Sequence, residues 1–228
     1  MSRPGAPRYR LTPELLLRAY AAGIFPMAES RHDKAIFWVD PRRRGVLPLE
    51  HFHVPRKLRR RARRHPFEIR CNTDFAAVIG ACAEPGHGRR DTWINDEILH
   101  AYVELHHRGF AHSVECWREG RLAGGLYGVS LGSAFFGESM FSREPDASKI
   151  ALVHLVARLR IGRFRLLDTQ FVTDHLRQFG VVEVSGREYL GLLEDALRYQ
   201  AVFYSGADPL ALDGALEGLF RQSSIQTS

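Results

Sequence analysis

Phe135-Phe-Gly-Glu-Ser-Met-Phe-Ser-Arg-Glu-Pro-Asp-Ala-Ser-Lys149 opens as a strand and closes as the start of a helix. Working upstream, Ala111–Trp117, Arg121–Val129 and Ser133–Phe141 alternate as strands, joined at Arg118-Glu-Gly120 and near Ser130-Leu-Gly132, which predicts an antiparallel meander. Downstream, Asp146 or Pro145 starts a helix whose apolar positions are Ala147, Ala151, Leu152, Leu155, Val156 and Leu159. Then come strand Arg165–Asp168, helix Thr173–Phe179, strand Val181–Val184 and helix Arg187–Tyr199. Before the meander, Phe67–Cys71 reads as a strand, Asn72 or Thr73 caps a helix through Ala83, and Asn95 caps a helix over Asp96–Arg108.

The order is strand, two helices, three antiparallel strands, helix, strand, helix, strand, helix. That predicts an α+β fold resembling the acetyltransferase-like (GNAT) architecture, a mixed sheet with flanking helices, plus a small N-terminal domain. The N-terminal domain is expected over residues 1–55, packed directly on a GNAT-like domain at 56–205, with 206–228 as a loosely docked tail. Thr12-Pro13 begins a helix that ends near Gly23, and Pro55–Arg64 is predicted to be a helix with one narrow apolar stripe, Val54, Leu58 and Ala62.

Charge is concentrated. The chain carries a net +6, yet residues 42–64 hold ten Arg or Lys against Glu50 alone, a local +9 that leaves the remainder at −3. Mutual repulsion makes such a run poor structural material, and phosphates are its natural counterions. Arg56, Lys57, Arg59, Arg60, Arg61, Arg63 and Arg64 are therefore candidate contacts to a nucleic-acid backbone. Tyr20, Phe37, Trp38, Trp93 and Tyr102 are candidates to stack on an unpaired base, each also readable as core. Cys71, Cys82 and Cys116 are scattered and odd in number, which fits a reducing cytoplasm. No histidine spacing suits a metal, no apolar run suits a membrane span, and the start of the chain lacks a signal core. No cofactor motif is found.

Within the opening stretch Glu138 stands among aromatics. Burying that carboxylate costs several kcal/mol unless it is paired or protonated, so it is either a structural ion pair or a reactive group. Alternation places Phe136, Glu138 and Met140 on one face. Asp168 and Gln170 share a face at a strand's end; Asp168 also reads as a cap for the next helix. In the predicted architecture the strands bearing Glu138 and Asp168 flank a V-shaped opening, where Glu138, Asp168 and Gln170 converge. Ser142, Arg143, Ser148 and Lys149 form a polar site at the helix start. Leu126, Phe135, Leu152, Leu155 and Leu159 are candidate walls of an apolar pocket, or plain core.

Taken together, Tyr20-Ala-Ala-Gly-Ile-Phe-Pro26, Asp40-Pro-Arg42, the basic helix, Thr92-Trp-Ile94, His112-Ser-Val-Glu115, Gly124-Gly-Leu-Tyr-Gly128, Gly137-Glu-Ser-Met-Phe-Ser-Arg143, Ala147-Ser-Lys149 and Asp168-Thr-Gln170 resemble the leucyl/phenylalanyl-tRNA–protein transferase family. They run in order over about residues 11–193. Two positions depart from the pattern: Met27 and Phe37 stand where relatives carry Trp.

The resemblance implies an aminoacyltransferase without cofactor. It would move Leu or Phe, with some Met, from aminoacyl-tRNA to the N-terminal Arg or Lys of acceptor proteins, marking them for N-end-rule degradation in the cytoplasm. It implies Glu138, Asp168 and Gln170 at the reaction centre, with Tyr20, Trp93 and Tyr102 beside Ser142, Arg143, Ser148 and Lys149 at the tRNA 3′ end. Glu115, Glu119 and Glu144 are candidates to meet the acceptor's basic side chain, and a monomer is expected. Two competing readings are a coenzyme A-dependent N-acetyltransferase, disfavoured by the absence of a pyrophosphate loop, and a non-catalytic RNA-binding module.

Overall fold

A seven-stranded mixed sheet organises the computed structural model, which describes residues 10–85, 91–206 and 208–225. Residues 86–90 lie outside these. Strands β1 (Phe25–Met27) and β2 (Phe37–Val39) pair as a separate ribbon. The main sheet contains β3 (Arg43–Val46), β4 (Glu68–Cys71), β5 (Ala111–Arg118), β6 (Arg121–Leu131), β7 (Ala134–Ser142), β8 (Leu166–Gln170) and β9 (Val182–Ser185), in the order β4-β5-β6-β7-β8-β3-β9. The predicted meander is β5-β6-β7. The helices are α1 (Pro13–Ala21), α2 (Arg56–Ala62), α3 (Phe75–Cys82), α4 (Asp96–His107), α5 (Ala147–Ile161), α6 (Asp174–Arg177), α7 (Gly186–Leu197) and α8 (Pro209–Ile225).

Local chemistry accounts for the helix starts. Thr12 Oγ1 accepts the Leu15 N–H at 3.3 Å and Asn95 Oδ1 the Ile98 N–H at 2.8 Å. Asp74, rather than Asn72 or Thr73, caps α3, accepting from Ala77 N–H at 3.0 Å. Neither Pro145 nor Asp146 caps α5 through its side chain; the Ser148 N–H is taken by Ser142 Oγ at 2.9 Å. Ser185 and Glu188 form a reciprocal capping box on α7.

Each face of the sheet carries its own core. One gathers α2, α5, α6 and α8 around Leu58, Phe135, Leu155, Leu176 and Phe220. The other gathers α1, α3, α4 and α7 around Leu16, Tyr20, Phe75, Tyr102, Phe136 and Tyr189.

Three findings differ from expectation. Residues 10–55 do not stand apart, since β3 is an interior strand, antiparallel to both β8 and β9. Of the predicted tail, residues 207 and 226–228 lie outside the described residues, and 208–225 are docked rather than loose. Asp208 Oδ1 accepts the Leu210 N–H at 2.9 Å to begin α8, whose Leu216, Leu219 and Phe220 are buried. Finally, strict alternation fails in β7. The β6 register steps from Gly128↔Gly137 to Tyr127↔Ser139, so Glu138 is the extra residue of a β-bulge. Phe136 therefore joins one core and Met140 packs against the other, instead of sharing a face. Only glycine fits opposite: a Cβ at Gly128 would sit 2.3 Å from Phe136 O and 2.4 Å from the Phe135 ring.

Candidate active site

Strands β7 and β8 run parallel only while Ala134, Phe135 and Phe136 face Leu166, Leu167 and Asp168. Beyond that point they separate. A cleft of about 1010 Å³ opens between them, walled by Gly137–Ser142 on one side and by Thr169, Gln170 and Phe171 on the other. The bulge aims Glu138 into this opening.

Glu138 meets three protein groups. Tyr20 OH donates to Oε1 at 2.7 Å, Tyr102 OH to Oε2 at 3.2 Å, and Gln170 Nε2 to Oε1 at 3.1 Å. The two phenols also contact each other. Burial drives its pKa from 4.5 to about 7, opposed by the Tyr20 hydrogen bond. Burial first, and the Glu138 charge second, raise the Tyr20 phenol well above its ordinary value.

Asp168 is fully buried and paired with the equally buried Arg44, Nη2 to Oδ2 at 2.6 Å. Its Oδ1 accepts the Gln170 backbone N–H at 2.8 Å. Gln170 sits in the left-handed region at φ 55°. Its Nε2 is committed to Glu138, and the residue lines the cleft. Glu138 and Gln170 thus converge, while Asp168 lies behind them.

Three of the five candidate pocket residues, Leu126, Leu152 and Leu155, line the cleft with Met140, Leu167 and Leu176. Phe135 and Leu159 are buried core outside it. At the start of α5, Ser142, Arg143, Ser148 and Lys149 all line the cleft. Arg143 is held by Glu84 at 3.1 Å and Lys149 by Asp146 at 3.3 Å.

Several expectations need correction. Tyr20 and Tyr102 are fully buried, so neither ring can stack on a base; their hydroxyls serve Glu138 instead. Trp93 packs against the α1–α4 core, outside the cleft lining. Phe37 and Trp38 are the exposed aromatics of β2, and Phe171 at the cleft lip is 47% exposed while set edge-on to Phe25 at 5.9 Å. Glu115 is buried, accepting from Thr73 and Asp74 N–H, Ser113 Oγ and Trp117 Nε1. Glu119 faces Arg121 and Glu144 faces Arg118.

The basic helix is sorted by side. Arg59 donates to Phe220 O at 2.8 Å, and Arg63 pairs with Glu217 at 2.7 Å, both toward α8. Arg61 reaches Asp146 at the cleft rim at 3.5 Å. Arg56, Lys57, Arg60 and Arg64 are exposed. On a helix of 3.6 residues per turn Arg56, Lys57 and Arg60 span an arc of about 100°, and Arg64 follows in the turn past the end of α2. Arg44, counted with this patch in sequence, is instead interior; nothing local in the sequence distinguishes it from Arg42 and Arg43.

Among the described residues no cluster of three or more His, Cys, Asp or Glu suits a metal, and no helix is long and apolar enough to cross a membrane.

Comparison with known proteins gives a consistent answer. The family model for leucyl/phenylalanyl-tRNA protein transferase matches residues 46–194, and that for its N-terminal domain matches residues 9–42. A leucyl/phenylalanyl-tRNA–protein transferase of Paramagnetospirillum magneticum is 61% identical over 193 residues, covering 85% of this chain and 92% of the relative. One of Phenylobacterium zucineum is 60% identical over 201 residues, covering 88% and 91%. A solved structure of a functionally unknown conserved protein from Staphylococcus epidermidis covers 78% of this chain and 66% of that one at 12% identity. Its TM-score is 0.39, too low to bear on the fold.

Proposed function

The chain belongs to the leucyl/phenylalanyl-tRNA–protein transferase family, and from that premise we propose that it transfers Leu or Phe from aminoacyl-tRNA to the N-terminal Arg or Lys of acceptor proteins. The acceptors become substrates for N-end-rule degradation in the cytoplasm, and the enzyme works as a monomer without a cofactor. The observation that carries the reading is the convergence of Glu138 and Gln170 at the floor of the cleft where β7 and β8 part. That parting, and the placing of two helices before the meander and one after it, support a GNAT-like architecture for residues 56–205. Residues 1–55 serve it as an N-terminal part that supplies Tyr20 and Arg44.

The donor ester is already activated, so the protein's task is to position the reactants and exclude water. The neutral α-amine of the acceptor attacks the ester carbonyl carbon. A C–N bond forms, the C–O bond to the terminal ribose breaks, and one amine proton leaves on the ribose oxygen as a hydroxyl. The Gln170 carbonyl accepts a hydrogen bond from the attacking amine and aligns its lone pair. Glu138 holds the α-ammonium of the incoming Leu or Phe, and Leu126, Leu152 and Leu155 receive its side chain. Ser142, Arg143, Ser148 and Lys149 flank the tRNA 3′ end, while the exposed stripe of α2 follows its backbone.

A coenzyme A site gains no support from the start of α5. Its first N–H groups are already used, Ala147 by Glu144 O at 3.2 Å and Ser148 by Ser142 Oγ. The deciding experiment supplies labelled Leu-tRNA with a peptide that starts with Arg. Label on the peptide is expected; tRNA binding without transfer would overturn the proposal in favour of a binding module.

A further inference from the structure

Both oxygens of Asp168 are occupied by protein donors. Arg44 Nε lies 3.0 and 3.1 Å from its two oxygens, Arg44 Nη2 2.6 Å and Tyr189 OH 2.8 Å from Oδ2, and the Gln170 N–H 2.8 Å from Oδ1. Protonating Asp168 would strand Arg44 as an unpaired buried cation. Arg44 is itself fixed. Nη1 donates to Gly23 O at 2.9 Å, Nη2 to Tyr189 OH at 3.2 Å, and its guanidinium lies 4.8 Å from the Phe25 ring centre and 4.3 Å from that of Tyr189.

The rigid group ends on one backbone amide. Gln170 holds a left-handed conformation that a residue with a side chain enters only at a cost. The bond to Asp168 Oδ1 fixes that conformation, and the conformation aims the Gln170 side chain at Glu138. We infer that Arg44 and Tyr189 are positioning residues of the transfer reaction, holding Asp168 in place against the backbone N–H of Gln170. The inference rests on the proposed role of the Gln170 carbonyl. It extends the site to β3 and α7, which reach the reacting atoms only through Asp168.

The test measures kcat and KM for transfer from Leu-tRNA to an Arg-started peptide. Gln170→Ala examines the underlying reading alone: kcat should fall about 100-fold or more, and an unchanged kcat would sink that reading whatever the other variants do. Given that loss, Asp168→Ala should lose as much, and adding it to Gln170→Ala should cost nothing further. The paired variant Arg44→Gln/Asp168→Asn leaves no charge stranded and keeps an amide oxygen opposite the Gln170 N–H. It should retain about a tenth or more of the parent kcat, with unchanged KM and an unshifted pH profile. A folded pair as inactive as Asp168→Ala overturns the inference, because the charge itself would then be required at the reacting centre. Should the pair fail to fold, Tyr189→Phe decides. One hydrogen bond to Asp168 is lost, kcat should fall about fivefold with both KM values intact, and an unchanged kcat or a loss confined to KM refutes the positioning role.

Discussion

Replacing Glu138 with glutamine should make the protein more stable and less active at once. Burial lifts the Glu138 carboxyl from 4.5 to about 7. The folded state therefore binds more protons than the unfolded chain between those values, and stability falls as pH rises across that window. Above pH 7 the ionised carboxylate costs the fold about 3 kcal/mol, at roughly 1.4 kcal/mol per pH unit. Glu138→Gln removes the ionisation. At pH 8 its melting temperature should exceed that of the parent by about 6–12 °C for a chain of this size, and the gap should shrink toward pH 5. Transfer should move the other way. A charge-assisted contact to the aminoacyl ammonium is worth about 1.5–3 kcal/mol, so kcat/KM should drop roughly 10- to 150-fold. Thermal melts at pH 5, 6, 7 and 8, with initial transfer rates at pH 8, measure both. An unchanged pH slope of stability in the variant would refute the assignment of a raised Glu138 pKa. Full activity with the expected stabilisation would refute its role as ammonium ligand.

Three further outcomes test other parts of the molecule. The exposed stripe of Arg56, Lys57, Arg60 and Arg64 should give tRNA binding a log–log salt slope of about −3; Arg60→Glu should flatten it by about one, while Arg63→Gln, already held by Glu217, should leave it alone. Phe220→Ala, in the core beneath α8, should cost about 3–5 kcal/mol and lower the melting temperature by about 6–20 °C, read by calorimetry. Leu155→Phe narrows the apolar wall of the cleft and should reduce Phe transfer relative to Leu transfer about tenfold in a competition assay.

Much of the frame is local in origin and was legible in the sequence. The meander, the helix after it and the caps Thr12 and Asn95 follow from side-chain period and hydrogen-bonding chemistry. So does the convergence of Glu138 with Gln170, once their strands are placed as neighbours. What escaped the sequence is set by non-local partners. The bulge at Glu138 exists because Gly128, on the opposite strand, lets the backbone close against Phe136. Arg44 looks like one more cation of a basic run until Asp168, 124 residues away, claims it. Tyr20 and Tyr102 read as stacking aromatics because phenol chemistry permits both roles, and only burial decides. Helix α8 carried a readable signal: Asp208-Pro209 followed by Leu212, Leu216, Leu219 and Phe220 is a capped amphipathic pattern.

The insertion of β3 between β8 and β9 also dictates an order of assembly. Its residues, Arg43–Val46, are synthesised well before the strands on either side of it, which begin at Leu166 and Val182. At roughly 5–20 residues per second, the N-terminal segment waits at least about 6–24 seconds on the ribosome before either neighbour exists. The β4–β7 meander can pair during that interval, but Arg44 has no Asp168 to meet, and Gln170 has no amide anchor until its own strand has emerged. Under the proposed mechanism, catalytic competence therefore waits for β8. A truncated product that ends before Leu166 has every residue of α2 and its exposed basic side chains, yet none of the strand that carries Asp168 and Gln170.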